Sequence, residues 1–83
     1  MNDIGEHRKM FGERLRQLRE ERNMSQVDLA EAIGVGDSTI SQYEKCQRDP
    51  QFSVMYKIVC YFDEDINWLI GETTQRRIKK RAQ

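Results

Sequence analysis

The stretch SQVDLAEAIGVGDSTISQYEKCQRDP, residues 25–50, decides the fold of this chain. Ser25 is expected to begin a helix, because its hydroxyl can accept a hydrogen bond from the backbone amide of Asp28 and the Asp28 carboxylate can return one. Gly34 is expected to end that helix, since glycine readily adopts the left-handed conformation that follows many helices. The apolar residues between them repeat at helical spacing and predict a buried face: Leu29, Ala30 and Ile33.

A second helix is predicted after the glycine turn, and its composition differs from that of the first. It runs from about Asp37 to Lys45, and Ile40 is its clear inward-facing residue. Short polar side chains occupy most of its other positions: Ser38, Thr39, Ser41 and Gln42. Because such side chains add little to a core, this helix should present a hydrogen-bonding face to the solvent.

Apolar residues at helical spacing predict three further helices around this pair. One precedes the stretch and ends near Asn23, which tolerates the left-handed conformation; its inward face is Phe11, Leu15 and Leu18. Another begins after Pro50 and has a wide apolar stripe: Phe52, Met55, Ile58, Val59 and Phe62. The acidic run of residues 63–65 ends it, and a short last helix follows over residues 66–70.

Length and composition bound the architecture. A chain of 83 residues has the size of one small domain and buries only a modest core. Its hydrophobic fraction is 37% and its charged fraction 34%, so much of it should be solvated helix surface. We therefore predict an all-α, compact domain of five helices at residues 11–72, between a flexible arm of residues 1–10 and a basic tail of residues 73–83.

Two short helices joined by a glycine turn, the second polar on its outer face, have the layout in which the second helix enters the DNA major groove. The stretch quoted above, followed by a helix and NWLIGE, resembles the Cro/Xre phage-repressor family of helix-turn-helix proteins, from about Phe11 to Glu72. The resemblance rests on these residues at family spacing: Ser25, Gln26, Leu29, Ala30, Gly34, Ile40, Ser41, Glu44 and Pro50. It implies a lambda-repressor-like fold and a sequence-specific transcriptional regulator, in most cases a repressor that binds a palindromic double-stranded DNA operator as a dimer.

The resemblance also implies roles for individual residues. Gln26 matches a glutamine that contacts a phosphate and braces the recognition helix, and Gln42 can pair with adenine. The residues expected to face base edges are Asp37, Ser38, Thr39, Ser41 and Gln42. Those expected to contact the DNA backbone are Lys45, Gln47 and Arg48, and such contacts position a protein without reading sequence. Arg19 and Glu44 match paired family positions and predict an ion pair between the first and third helices.

Three residues depart from the family pattern. Gly36 replaces the Ser or Thr that usually caps the recognition helix, so either Gly36 caps it weakly or Asp37 takes over the cap. Cys46 stands where the family usually has a glycine, so the exit from this helix is expected to be strained or reshaped. If Asp37 does face the groove, its carboxylate can only accept a hydrogen bond, for example from cytosine N4.

The charges are divided unevenly along the chain. Residues 1–72 hold 9 Lys/Arg and 14 Asp/Glu, whereas residues 73–83 hold 5 Lys/Arg and no acid. Because phosphate affinity depends on where basic groups lie, the zero net charge weakens a nucleic-acid function without excluding it. The basic run is either a DNA-gripping arm or a solvated terminus: Arg76, Arg77, Lys79, Lys80 and Arg81.

The sequence provides little for catalysis or metal binding. Cys46 and Cys60 have no Cys or His partners at zinc spacing, so we expect free thiols, no metal or other cofactor, and a cytoplasmic protein. His7 is the only histidine, which argues against a catalytic nucleophile and base, so the chain is predicted not to be an enzyme. No apolar run is long enough to cross a bilayer, so no membrane partner is expected.

The last helix carries more apolar surface than a short helix is expected to hide: Trp68, Leu69 and Ile70. We therefore expect it to form the isologous interface of a homodimer. Two other functions remain open. One is an antitoxin or restriction-controller type of regulator with the same fold, and the other is a protein-interaction adaptor that has lost DNA binding. The acidic balance of residues 1–72 and the position of Asp37 favour the adaptor.

Overall fold

A computed structural model describes residues 4–76 of the chain, and these residues form five α-helices. In chain order they are α1 (Ile4–Glu21), α2 (Gln26–Ile33), α3 (Asp37–Glu44), α4 (Phe52–Phe62) and α5 (Ile66–Leu69). No strand occurs between residues 4 and 76, and the predicted all-α fold of five helices is confirmed. None of these five helices has the length and hydropathy needed to span a membrane.

The first helix is longer than predicted. It begins at Ile4 instead of Phe11, so the expected flexible arm is wrong for residues 4–10, which are helical. The reason is a contact with a distant part of the chain: Nδ1 of His7 lies 2.5 Å from the carbonyl oxygen of Ile70. The first turns of α1 are therefore held by tertiary contacts that a local apolar pattern does not reveal.

Arg8 supplies a second anchor for the beginning of α1. Its Nε and Nη2 donate to the two carboxylate oxygens of Asp49 at 2.5 and 3.1 Å. This hydrogen bonding lowers the pKa of the Asp49 carboxyl and raises the pKa of Arg8. The pair ties α1 to the loop between α3 and α4.

The ends of α1 and α2 follow the local signals in the sequence. Asn23, just after α1, has a left-handed backbone with φ 56°. Ser25 Oγ accepts from the Asp28 amide at 2.9 Å, and the Asp28 carboxylate accepts from the Ser25 amide at 3.0 Å. Gly34 ends α2 with φ 74°. The capping box and the glycine end predicted for α2 are therefore confirmed.

The core lies between all five helices. Its buried hydrophobic residues are Phe11, Leu15, Leu18, Leu29, Ala30, Ile33, Ile40, Tyr43, Ile58, Phe62, Trp68 and Leu69. Phe52 does not belong to it, although the predicted apolar stripe of α4 began there, because 80% of Phe52 is exposed. The first turn of α4 thus lies outside the core, and the buried part of the stripe begins further along the helix.

Trp68 and Leu69 correct the prediction for the homodimer interface. They are only 3% and 0% exposed, because the domain itself buries them, so they cannot form a surface for a second copy. The Trp68 ring is covered by two guanidinium groups, those of Arg14 at 4.9 Å and Arg76 at 4.6 Å from its centroid. Ile70 remains partly exposed.

Arg76, the first residue of the predicted basic run, is bound to the helical domain. Its guanidinium donates to Glu21 and to Glu64, each at 2.8 Å, and the Glu64 side chain is 6% exposed. Pairing with Arg76 lowers the pKa of Glu21. The other four basic residues of the run lie outside the described residues: Arg77, Lys79, Lys80 and Arg81.

Candidate nucleic-acid interface

The turn between α2 and α3 is built by its two glycines. Gly34 has φ 74°, a conformation that costs glycine little. Gly36 is the N-cap of α3, with an extended backbone and no side-chain cap hydrogen bond. Of the two alternatives for this cap, the weak glycine cap is the one present. Asp37 lies in the first turn of α3 and is exposed.

Polar residues spaced three and four apart share one side of α3 and its C-cap. We call this side the outer face of α3: Asp37, Ser38, Ser41, Gln42 and Lys45. Asp37, Ser38 and Lys45 are exposed, and the other two are partly exposed.

Thr39 does not share this face, although the sequence had grouped it with the residues expected to face base edges. It is only 8% exposed and lies on the side of the helix that buries Ile40 and Tyr43. Because a helix turns about 100° per residue, Thr39 lies on the same side of α3 as the buried residues Ile40 and Tyr43. The structure therefore places Thr39 behind the surface.

Behind the outer face, an ion pair joins α3 to α1. Nε and Nη2 of Arg19 donate to the two carboxylate oxygens of Glu44 at 2.7 and 2.9 Å, so the predicted pair is confirmed. The two side chains are 11% and 5% exposed, and the hydrogen bond to Glu44 raises the pKa of Arg19. Nη1 of Arg19 also donates to the carbonyl of Met24 at 2.8 Å. A buried, two-pronged contact of this kind fixes the orientation of α3 on α1.

Gln26 joins the same network from α2. Its Nε2 donates to Oε1 of Glu44 at 3.0 Å, and its side chain is partly buried. This hydrogen bond is a bracing contact between the first residue of α2 and the last residue of α3. The phosphate contact expected of Gln26 stays a prediction.

The chain leaves α3 through Cys46, whose backbone is left-handed with φ 62°. The sequence had predicted a reshaped exit here, because a residue with a side chain stands in a position that favours glycine. The bend brings Arg48 back beside α3. Nη1 of Arg48 donates to Oε1 of Gln42 at 3.1 Å and to Oγ1 of Thr39 at 3.4 Å. Arg48 and Gln47 are both exposed.

A polar cleft beside the glycine turn is a feature that sequence reasoning missed. Its exposed polar side chains come from the loop after α3 and from the first turns of α4: Arg48, Gln51, Ser53 and Lys57. Two cations at one cleft attract phosphate groups. Lys57 had been overlooked because the sequence of α4 was interpreted only for its apolar stripe. The signal that could have identified Lys57 is its charge, at the position directly before the buried Ile58.

Comparison with known proteins places this geometry in a family. A family model described as helix-turn-helix matches residues 15–69. The chain belongs to the helix-turn-helix family. Its resemblance to the Cro/Xre type is confirmed by its curated relatives. In this helix-turn-helix domain α2 and α3 are the two helices, and Gly34–Gly36 is the turn.

Two relatives and one solved structure are similar over most of the domain. The cryptic phage CTXphi transcriptional repressor RstR of Vibrio cholerae is 33% identical over 64 residues, which cover 77% of this chain and 58% of RstR. The transcriptional regulator SinR of Bacillus subtilis is 33% identical over 76% of this chain and 58% of its own length. The chain spans about half the length of the curated relatives it matches. The crystal structure of the restriction-modification controller protein C.AhdI from Aeromonas hydrophila superposes with a TM-score of 0.68 and 31% identity, over 75% of this chain and 94% of that one.

Proposed function

We propose that this chain binds double-stranded DNA sequence-specifically and regulates transcription, acting as a repressor. The observation that carries the proposal is the outer face of α3, a row of polar side chains on a helix that the major groove of B-DNA can admit. Arg19, Glu44 and Gln26 hold this helix from behind through buried hydrogen bonds. Two relatives support the proposal, since RstR is a transcriptional repressor and SinR a transcriptional regulator.

The proposed contacts divide into two kinds. Base edges would meet Asp37, Ser38, Ser41 and Gln42, which carry hydrogen-bonding groups on the outer face. Phosphates would meet Lys45 at the end of that face, together with residues that flank it or line the polar cleft: Gln26, Gln47, Arg48 and Lys57. Contacts of the second kind set the position of the domain on DNA, and those of the first kind set its sequence preference.

A gel-shift selection from random duplexes tests the proposal. We expect the wild-type chain to enrich one class of sequence. Gln42→Ala should weaken binding to that class by about 1–3 kcal/mol while sparing random DNA, because one base contact is lost. An equal loss on both kinds of DNA would make Gln42 a positioning residue. A selection that enriches nothing would overturn the proposal in favour of the protein-interaction adaptor.

The salt dependence of binding tests the polar cleft. Affinity should fall with rising salt by about 0.9 log units per log unit of salt for each phosphate neutralised. Lys57→Met should reduce this slope by about one phosphate contact. Arg16→Met is the matched control, because Arg16 is already paired with Glu20 at 2.9 Å. If Lys57→Met leaves the salt dependence unchanged, the polar cleft is not part of the DNA-binding surface.

The proposal also includes the assembly of the protein, a homodimer on a palindromic operator. Its interface would use the exposed side of α5, where Ile66 is 39% exposed and Ile70 partly so. Two recognition helices related by a two-fold axis would then read half-sites whose centres lie about 34 Å apart, or one turn of DNA. Ile66→Glu should lower operator affinity while the helical content stays unchanged. A wild-type chain that sediments as a monomer both free and on a full operator would contradict the dimer.

A restriction-modification controller is the second candidate, favoured by the likeness to C.AhdI over 94% of that chain. Promoter fusions separate the two functions. A repressor lowers transcription from a promoter that overlaps the selected operator, whereas an activating controller raises it when the operator lies upstream.

Binding without catalysis is also part of the proposal, as is action in the cytoplasm, where a regulator meets its genes. His7 supports binding without catalysis, because both of its ring nitrogens are engaged within the domain. Nδ1 contacts the Ile70 carbonyl, and Nε2 lies 3.1 Å from the carboxylate of Glu72. Within residues 4–76, no three His, Cys, Asp or Glu side chains group together as metal ligands would.

A further inference from the structure

The hydrogen bond between Arg48 and Gln42 orients the amide of Gln42. Nη1 of Arg48 lies 3.1 Å from Oε1 of Gln42. A guanidinium has five donors and no acceptor, so the atom of Gln42 that faces it must be the carbonyl oxygen. Thr39 holds the same Arg48 nitrogen at 3.4 Å, which steadies the guanidinium against α3. The Gln42 amide therefore points its Nε2 group away from Arg48, and no acceptor within residues 4–76 takes up its two N–H groups.

This orientation decides which base edge suits Gln42. A glutamine that pairs with adenine must accept from N6 with its oxygen while it donates to N7 with its nitrogen. Here Arg48 occupies one of the two lone pairs of the oxygen, and an adenine amino group approaching the other would meet the donors and the positive charge of the guanidinium. Guanine presents O6 and N7, two neighbouring acceptors with no donor, on the same edge.

We infer that Gln42 reads guanine and not adenine, with Arg48 as the positioning residue that makes Gln42 a donor to DNA. The inference rests on the proposed function, since it names the base recognised by the same surface. It corrects the pairing with adenine that glutamine alone suggests. The Arg48 charge acts in the same direction, because it attracts the electronegative edge of guanine.

Selection from random duplexes with the full chain and four variants tests the inference. The position read by Gln42 is the one whose base preference disappears in Gln42→Ala. Arg48→Met keeps the unbranched aliphatic part of the side chain and removes its donors, so at this position the preference should move from guanine to adenine by about tenfold. Arg48→Lys retains a donor for Oε1 and should retain guanine.

Lys45→Met is the matched control. It removes one positive charge from the outer face of α3, but Lys45 makes no hydrogen bond to Gln42 within residues 4–76. It should weaken all duplexes alike and leave guanine preferred. Adenine at the Gln42 position in the wild type, or guanine retained in Arg48→Met, would overturn the inference and leave the proposed function intact. A wild-type chain that enriches no duplex overturns both.

Discussion

Gly12 in α1 faces the carbonyl oxygen of Tyr43 in α3 so closely that a Cβ atom on Gly12 would lie 2.5 Å from that oxygen. The Sγ atom of Cys46 would lie 3.3 Å from the same Cβ. Because the nearest obstacle is backbone, it cannot move aside as a flexible side chain would. The absence of a side chain at Gly12 is what lets α1 and α3 approach, and so what seats α3 on the domain.

Gly12→Ala should therefore destabilise the protein, against the usual trend for helices. Alanine is about 1 kcal/mol more favourable than glycine inside a helix. The clash with α3 should outweigh this gain, for a net loss of roughly 1–3 kcal/mol, as in other overpacked sites. The midpoint of urea unfolding measures the change. A Gly12→Ala protein at least as stable as the wild type would show that α1 and α3 can separate freely.

Gly36→Ser is the control at a second glycine. A Cβ here would lie 3.5 Å from Oγ1 of Thr39, an ordinary contact, and the backbone angle suits any residue. The serine hydroxyl could supply the side-chain cap that α3 lacks. We expect a gain of a few tenths of a kcal/mol.

Local sequence signals were sufficient to predict α2 and both of its ends. Ser25, Asp28 and Gly34 act on backbone groups within a few residues of themselves, so their roles are legible in the sequence. The beginning of α1 was missed for the opposite reason. Its anchors, His7 and Arg8, bind partners 63 and 41 residues away, and no local pattern reports such contacts.

The candidate nucleic-acid interface was likewise predictable from local sequence only in part. The outer face of α3 followed from its polar composition, but the inward position of Thr39 did not, because one clear apolar residue, Ile40, leaves the phase of a short helix uncertain. The hydrogen bond from Arg48 to Gln42 depends on the left-handed bend at Cys46. Tertiary geometry of this kind becomes visible only in the folded chain.

Trp68→Ala should cost the domain about 3–5 kcal/mol, as expected when a large buried aromatic side chain is truncated. Trp68 is 3% exposed, and the guanidinium groups of Arg14 and Arg76 lie over its ring. Ile66→Ala, in the same short helix but 39% exposed, should change stability by less than about 0.5 kcal/mol. Thermal melting compares the two. Equal, small effects would mean that Trp68 is not part of the core.

Stability should decline in acid through the capping box of α2. Hydrogen bonds from the backbone and hydroxyl of Ser25 lower the pKa of Asp28 from its usual 3.8. A carboxylate with a lowered folded pKa stabilises the protein above its unfolded pKa, and this contribution is lost as the pH falls through the folded value. The loss should therefore begin below about pH 4 and grow on further acidification.

Asp28→Asn should reduce that acid dependence, because an amide does not titrate. Asp37→Asn is the control, since the Asp37 carboxylate accepts no hydrogen bond within residues 4–76 that acid would remove. Urea unfolding at pH 7 and pH 3 measures both. If Asp28→Asn loses as much stability between these two pH values as the wild type does, the capping box is not the acid-sensitive contact.

Glu44→Gln should be strongly destabilising, because it leaves the charge of Arg19 buried without its partner. Arg19 is 11% exposed, and in the variant its charge faces only neutral acceptors, the Met24 carbonyl and the new amide oxygen. Breaking a buried pair by removing one partner costs on the order of 3–5 kcal/mol. Glu20→Gln breaks an exposed pair with Arg16, whose side chains are 63% and 54% exposed, and should cost less than about 0.5 kcal/mol.

Salt and a double variant separate the buried pair from a surface pair. The loss in Glu44→Gln should persist in high salt, since salt screens buried charges weakly. Arg19→Met combined with Glu44→Leu removes both charges and should recover much of the stability, because no charge is left stranded. The same double variant also removes the Glu44 oxygen that accepts from Gln26. It should therefore bind the selected operator less tightly than the wild type, even at a temperature at which both proteins are folded. Melting curves and gel shifts at one temperature test both points, and a Glu44→Gln protein that melts like the wild type would contradict the assignment of this pair as the link between α1 and α3.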